Sequence, residues 1–263
     1  MDDRDLKRQL QAKRKRLEKL KPYVQSGVVV EFGCGSGFVL EFLSEIAPNS
    51  HIIGVDRLPE RLAAVSERGL HNVVTVCADV EDSIFPEGVF DTAVFINCLH
   101  EIFSEKGREG VMGALQVAST VLRRDGVVLI QDYLKPEPQV IEMEFADQWL
   151  LKRFMRFAKE FKPRQVNYEM KGSTARLDVA DAFEFITKHH AKDEEHWQEE
   201  MRETHLFFTE EDFRQALREA GLNIVAIERI KGAQAYPKPV EGLKLNPPIE
   251  VEWIQVIGKK PVD

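Results

Sequence analysis

The chain contains 263 residues, of which 43% are hydrophobic, and this length fits one domain or one domain with an insertion. The formal net charge of -8 argues against a surface that binds nucleic acid over its whole extent, while a local basic patch stays compatible with it. No segment approaches the roughly 18 consecutive apolar residues that span a membrane, and the charged N-terminus is unlike a secretory signal.

The cysteines stand alone in the sequence, at Cys34, Cys77 and Cys98. They lack C-x-x-C spacing and are too few for a disulfide framework. We therefore expect free thiols and a reduced, cytoplasmic compartment.

Residues 4–21 are rich in lysine and arginine, and Pro22 is a typical end for a helix. Leucines recur in this segment at near-helical spacing, at Leu6, Leu10, Leu17 and Leu20. We predict an N-terminal basic helix over residues 1–22. Its leucines pack on the domain in the favoured interpretation, and in the alternative it is a functional arm for RNA or anionic lipid.

Short apolar segments alternate with helical segments between residues 28 and 133, which implies βαβ units and a parallel sheet. The predicted strands are Val28–Val30, Ile52–Asp56, Val73–Ala78, Val89–Asn97 and Val127–Tyr133. The predicted helices are Phe38–Ile46, Pro59–Arg68 and residues 108–122.

The alternation stops after residue 133, and residues 134–205 contain no convincing strand. We predict amphipathic helices at Val140–Glu160 and Val179–Glu203, around a polar loop at 162–176. A capping-box pattern at Thr209–Asp212 then begins another helix. The remaining predicted elements are a strand at Asn223–Ile230, a long loop at 232–248 and a last strand at Ile249–Ile257.

The most informative segment, residues 28–37, reads Val-Val-Val-Glu-Phe-Gly-Cys-Gly-Ser-Gly. Glycines after a buried strand let the backbone turn sharply and approach a ligand. The dinucleotide fingerprint G-x-G-x-x-G does not fit, because the third glycine comes one position early and the preceding acid repels a pyrophosphate. An acid at Glu31 suits a cationic group, such as the ammonium of an amino-acid tail. The segment resembles motif I of the class I S-adenosylmethionine (SAM)-dependent methyltransferases, E/D-x-G-x-G-x-G.

The resemblance implies an α/β fold, namely a three-layer Rossmann-like methyltransferase fold. Its seven-stranded sheet is mostly parallel with an antiparallel last strand. Residues 23–133 and 206–263 would form the SAM-binding domain, and residues 134–205 a helical lid insertion after strand five, over the acceptor site. The implied cofactor is SAM, and the second product is S-adenosylhomocysteine.

Ligands of such sheets bind beyond the carboxyl ends of the strands. The resemblance there assigns Asp56 to the ribose hydroxyls, Asp79 to the adenine amine with Asp82 as a substitute, and Arg57 to a position flanking the adenine. The full predicted set of cofactor-binding residues is Glu31, Phe32, Gly33, Cys34, Gly35, Gly37, Asp56, Arg57, Asp79, Val80 and Asn97.

His100 is the candidate catalytic base, because imidazole can accept a proton at neutral pH. Glu101 would orient the ring or bind the substrate. The alternative for His100 is a structural cap on the following helix. The candidate substrate-binding residues are Asp132, Tyr133, Tyr168 and His205. No metal is predicted, since a possible set at His189, Asp193 and His196 lies in a charged run that favours a solvated helix face.

We expect methyl transfer by in-line displacement to a small metabolite, on oxygen, nitrogen or carbon. The strand-four exit Asn97–His100 lacks the N/D-P-P-Y pattern of amino-methylating nucleic-acid and glutamine methyltransferases. One alternative is an RNA or protein methyltransferase that uses the N-terminal basic helix. A second alternative is a non-catalytic SAM-binding scaffold subunit. The sequence predicts no membrane partner and does not define an oligomeric state.

Overall fold

The structure is a computed structural model, and it describes residues 11–231, 240–250 and 252–262. These residues form two β-sheets flanked by helices. The strands are β1 (Val28–Phe32), β2 (His51–Asp56), β3 (Val73–Cys77), β4 (Phe90–Ile96), β5 (Leu122–Tyr133), β6 (Val140–Phe145), β7 (Tyr168–Lys171), β8 (Thr174–Asp178), β9 (Asn223–Lys231), β10 (Leu243–Asn246) and β11 (Glu252–Lys259).

The helices are α1 (Phe38–Ile46), α2 (Pro59–Ser66), α3 (Leu99–Val121), α4 (Gln148–Glu160), α5 (Val179–Lys188), α6 (Glu194–Glu200) and α7 (Glu210–Glu219). Helix α3 covers all but the last residue of the predicted segment 108–122. It begins earlier, at Leu99, shortly after β4, and has a break in helical geometry at Gly107 (φ +64°). Within the residues that the structure describes, none of the helices combines the length and the apolarity needed to span a membrane.

The large sheet contains seven strands in the order β3-β2-β1-β4-β5-β11-β9. Strands β1 to β5 pair in parallel, and β11 runs antiparallel to both of its neighbours. The strand order reverses between β1 and β4, where open α/β sheets bind ligands beyond the carboxyl ends of their strands. The predicted mostly parallel, seven-stranded Rossmann-like sheet is confirmed.

Two apolar cores cover the faces of this sheet and make the fold three-layered. On one face α3 and α7 bury residues such as Leu115 and Phe213. On the other face α1 and α2 bury Phe42 and Leu62 together with Leu17 of the N-terminal segment. Because both faces are covered, strands β1 and β4 are apolar at nearly every position, as in other parallel sheets.

The N-terminal segment is helical over residues 11–17 and continues as a 3₁₀ helix at Glu18–Tyr23. Leu17 and Leu20 are buried against the sheet, as expected if the leucines of the basic helix pack on the domain. Leu6 and Leu10 lie outside the described residues. Pro22 lies inside the 3₁₀ helix, and the turn ends one residue beyond it.

The insertion contains strands that the sequence interpretation missed. The predicted helix Val140–Glu160 is wrong in its first part, because β6 occupies Val140–Phe145 before α4 begins. Exposed and buried residues alternate strictly along β6, which is the period of a half-buried strand. The predicted loop 162–176 holds β7 and part of β8, joined by a hairpin with Gly172 at φ +61°.

A second, four-stranded antiparallel sheet results, in the order β10-β6-β8-β7. Strand β10 comes from the predicted long loop 232–248, of which residues 232–239 lie outside the described part. The predicted helix Val179–Glu203 is divided into α5 and α6. This sheet and helices α4 to α6 enclose a third core around Phe154, Phe183 and Trp197. The insertion is therefore a mixed α/β unit with its own core, and the prediction of a purely helical insertion is wrong.

Candidate functional site

Two adjoining cavities of about 560 and 660 Å³, including the parts open to solvent, lie at the carboxyl ends of β1, β2 and β4. The first is lined by Asp56, Asp79 and other residues after β2 and β3. The second is lined by Glu31 and the glycine-rich loop after β1. The residues common to both linings are Gly33, Arg61 and Glu101.

The glycine-rich loop has a conformation that only glycine adopts easily. Gly33 has φ +70°, and a Cβ there would lie 2.4 Å from Cys98 Sγ. Gly35 has φ +52°, and a Cβ there would meet nothing within 4 Å, so its backbone faces open space. Asp56 fixes this loop, because its Oδ2 accepts a hydrogen bond from the Gly35 amide at 2.8 Å. The loop is thus preorganised to present bare backbone to a ligand.

Substitution of Gly33 by alanine tests this arrangement. Gly69 is the matched control, since it has a similar φ of +64° but nothing within 4 Å of its would-be Cβ. We expect Gly33→Ala to lower the free energy of unfolding by about 1–3 kcal/mol more than Gly69→Ala, because a clash with Cys98 is added to the same backbone strain. Denaturant unfolding measures the difference, and equal losses in the two variants would contradict the close approach.

Glu31 is a buried carboxylate that faces the second cavity. Its side chain is 1% exposed, and its Oε2 has no hydrogen-bond partner within the protein. Burial raises the pKa of Glu31 well above its usual value, the positive charge of Lys13 opposes the shift, and Asp56 adds to it. A buried acceptor without a donor is costly, and an ammonium group supplies both the missing donor and the compensating charge.

The first cavity has the polar groups predicted for an adenosine group. Asp56 and Asp79 line it together with Arg57 and Val80. Asp79 Oδ2 lies 3.3 Å from Lys106 Nζ, and Arg57 pairs with Glu105. Burial opposes ionisation of Asp79, but the Glu81 amide and Lys106 outweigh it and lower the pKa of the carboxyl group. These contacts keep the carboxylate charged beside the cavity.

His100 is buried at the first turn of α3, against the end of β5. Its Nδ1 lies 2.6 Å from Asp132 Oδ1, and its amide donates to Asp132 Oδ2 at 3.2 Å. Its Nε2 lies 3.3 Å from Oε1 of Glu203. Burial disfavours the charged ring, but the Asp132 and Glu203 carboxylates outweigh this and raise the pKa of His100 to about 10. Both ring nitrogens face a carboxylate, so a role as base, which stays a prediction, requires Glu203 to move.

Three of the four predicted substrate-binding residues lie beside His100, and Tyr168 lies elsewhere. Asp132 is fully buried and is engaged by His100 and by the Tyr133 amide, which leaves it no surface for a substrate. Tyr133 and His205 pack together, with ring centroids 4.9 Å apart, beside His100. Tyr168 packs against Phe154 in the core of the insertion. The structure thus brings together His100, Asp132, Tyr133 and His205.

Three residues that the sequence interpretation did not single out complete the site. Lys13 and Arg61 line the second cavity, and Arg61 reaches the first as well. Glu203 lies between His100 and His205, although it belongs to the charged run assigned to a solvated face. No periodicity marks these residues, because each reaches the site from a different element. The earlier candidates His189, Asp193 and His196 do not meet: Asp193 caps α6 by accepting from the His196 amide at 2.9 Å.

Comparison with known proteins agrees with this geometry. The model of a family described as "Methyltransferase domain" matches residues 3–227. Malonyl-[acyl-carrier protein] O-methyltransferase from Bacillus cereus is 41% identical over 54 residues, which are 20% of this chain and 20% of that protein. The match therefore spans about a fifth of the length of this curated relative.

Two solved structures share the fold. The 1,6-didemethyltoxoflavin-N1-methyltransferase of Burkholderia thailandensis, with bound 1,6-didemethyltoxoflavin and S-adenosylhomocysteine, has a TM-score of 0.55 at 18% identity, over 98% of this chain and 82% of that one. The [4+2]-cyclase SpnF has a TM-score of 0.55 at 16% identity, over 94% and 81% of the two chains. The fold, the glycine-rich loop and the family match together show that the chain belongs to the methyltransferase domain family, whose cofactor is S-adenosylmethionine.

Proposed function

We propose that the protein transfers a methyl group from SAM to a small-molecule acceptor, by in-line displacement. SAM supplies a methyl group on a positively charged sulfur, which joins the adenosyl group to the amino-acid tail. The two cavities match these two parts of SAM. The first has carboxylates for the adenosyl group, and the second has Glu31 for the ammonium group of the tail. Their junction, at Glu101, is the position for the reacting methyl group.

Glu101 is the side chain that carries this proposal. It lines both cavities and lies in the first turn of α3, just beyond the end of β4. The Glu101 side chain is exposed to the cavity. The protein that surrounds its carboxyl group still removes part of the water around it, which raises the pKa of Glu101, and the charge of His100 opposes this shift. We assign Glu101 to contact with the acceptor, as a hydrogen-bond acceptor for an attacking O–H or N–H group. Such alignment of the attacking atom is the main requirement of an in-line displacement.

The insertion lies near His100, the neighbour of Glu101, although none of its described residues lines the two cavities. Tyr133 packs against His205 and Phe183, and Phe183 belongs to the core of the insertion. The insertion thus meets the large sheet at the ends of β4 and β5, the side from which the acceptor would enter. We propose that it serves as a lid over the acceptor, which excludes water during transfer.

The basic N-terminal helix does not support an RNA acceptor in its described part. Arg14 pairs with Glu45, Lys19 pairs with Glu228, and Lys13 lies 5.0 Å from the Phe38 ring. Arg16 stacks on Trp253 at 4.2 Å. These side chains are engaged by the protein's own surface, so fewer positive charges remain for phosphates.

An unbiased transfer assay tests the proposal. The protein is incubated with methyl-labelled SAM and a cell extract that has been separated into small molecules, RNA and protein. We expect label in the small-molecule fraction, and no label there with Glu101→Gln. Label that appears in RNA or protein instead would contradict a small-molecule acceptor. If no fraction is labelled although S-adenosylhomocysteine binds, the result would favour the scaffold alternative. Transfer itself must be measured because the same fold occurs in a cyclase.

A further inference from the structure

Three side chains converge where the insertion returns to the large sheet. His100, Glu203 and His205 each direct one possible ligand atom to a common point, within 4.8 Å of one another. Nε2 of His100 lies 3.3 Å from Glu203 Oε1, and Nε2 of His205 lies 3.4 Å from the same oxygen. In a tetrahedral zinc site with bonds of about 2.0–2.1 Å, neighbouring ligand atoms are about 3.3–3.4 Å apart. Both contacts have that spacing.

Nδ1 of each imidazole points away from Glu203 and contacts an oxygen atom; we call this the outer contact, and the contact of Nε2 with Glu203 the inner contact. Nδ1 of His100 lies 2.6 Å from Asp132, and Nδ1 of His205 lies 3.1 Å from the Thr187 hydroxyl oxygen. The Thr187 hydroxyl lies within donating distance of backbone carbonyls of α5, which leaves its oxygen available to accept from the ring, and Glu184 Oε2 lies 3.6 Å from the same Nδ1. A proton held at Nδ1 leaves Nε2 of each ring as the nitrogen that can bind a cation beside Glu203. Proteins orient metal-binding histidines in this way.

The contacts between the two histidines and Glu203 are longer than charge-assisted hydrogen bonds usually are. Charge-assisted N–H···O bonds are about 2.7–2.9 Å long. The inner contacts are 3.3 and 3.4 Å, whereas the outer contact of His100 with Asp132 is 2.6 Å. The pair of His196 and Glu200 has a contact of 3.3 Å without a third ligand in the part of the chain that the structure describes, so it is the convergence of three ligand atoms that points to a cation. A cation there binds Nε2 of each ring in its neutral form, since ligating imidazole is neutral.

We propose that His100, His205 and Glu203 form a binding site for a first-row divalent metal ion, and that Zn²⁺ is the ion favoured by this donor set. Two imidazoles and one carboxylate leave a fourth position open, as in zinc sites that bind a further ligand. The Glu203 side chain is 31% exposed and that of His205 is 14% exposed, so an ion reaches the site from solvent. The proposal concerns metal binding alone and does not rest on methyl transfer.

The test uses the full chain without a histidine tag, incubated with ZnCl₂ and then desalted, with bound zinc measured by mass spectrometry. We expect about one zinc per chain for the wild type, and almost none for His205→Ala or Glu203→Ala. His196→Ala is the matched control, because His196 Nε2 also lies 3.3 Å from a glutamate oxygen, that of Glu200, but belongs to no group of three ligands within the described residues. We expect this variant to retain its zinc.

Thr187→Val provides a variant of nearly unchanged volume that keeps all three ligands. It removes the acceptor at His205 Nδ1, and we expect zinc affinity to fall by about 10- to 100-fold. Cobalt substitution gives a second readout, since a four- or five-coordinate Co²⁺ ion has visible absorption bands that depend on its ligands. Circular dichroism of every variant shows whether it is folded. A wild-type protein without bound zinc, or equal loss in His196→Ala and His205→Ala, would overturn the proposal.

Discussion

Replacement of Glu101 by glutamine is expected to lower the turnover of methyl transfer by about 10²- to 10⁴-fold, the usual contribution of a positioned proton acceptor. The side chain keeps its shape and loses its charge. Glu101 lines both cavities at their junction, and in the proposed function it contacts the acceptor there. Steady-state kinetics with the identified acceptor measures the loss.

The affinities for SAM and S-adenosylhomocysteine separate two explanations of such a loss. If Glu101 serves the acceptor, both dissociation constants stay close to the wild-type values. If it serves the positively charged sulfur, SAM binds more weakly and S-adenosylhomocysteine, whose sulfur is neutral, does not. Glu109→Gln is the control, because Glu109 is exposed on the same helix beyond the break at Gly107. Wild-type turnover in Glu101→Gln would rule out the assignment.

Much of the large sheet could be predicted because its signals are local. An apolar run followed by glycines, as at Val28–Gly37, marks a buried strand and a tight turn without any knowledge of distant residues. Five apolar runs, separated by helical segments, were enough to place β1 to β5. The carboxyl ends of those strands then located Glu31, Asp56 and Asp79 at one edge of the sheet.

The insertion was harder to predict because its pattern is ambiguous over short lengths. Exposed and buried residues alternate along Val140–Phe145 with the period of a strand. The amphipathic helix α4 begins only three residues later, so the two patterns together predict one helix. Strand β10 pairs with β6 from about a hundred residues away, and no local signal marks such a pairing.

Glu203 shows a different limit of sequence interpretation. Its neighbours are charged, and such a run usually lies on a solvated surface. The side chain nevertheless lies between two histidines from different parts of the chain, and burial of Lys188 with Glu184 nearby shows that the run reaches the interior. Only the tertiary structure reveals which charged residues of a run are paired inside.

Replacement of Glu31 by glutamine is expected to weaken S-adenosylhomocysteine binding by about 10- to 100-fold, because a hydrogen bond to a charged group contributes about 1.5–3 kcal/mol. The binding of 5′-methylthioadenosine, which lacks the amino-acid tail, should change less than twofold. Isothermal titration calorimetry of both ligands gives the comparison. Equal weakening of the two would show that Glu31 supports the loop rather than the ammonium group.

The same substitution is expected to stabilise the ligand-free protein, by about 1–3 kcal/mol at pH 7. The pKa of Glu31 is raised in the folded state, so the folded protein binds this proton more tightly than the unfolded chain does. Stability is therefore lost as the pH rises above the unfolded value of about 4.3. Glutamine removes that loss, and the gain should vanish below this pH. Glu67→Gln, at an exposed position, is the control for denaturant unfolding at both pH values. A gain in stability together with weaker binding would mean that Glu31 is retained for its ligand, at a cost to the fold.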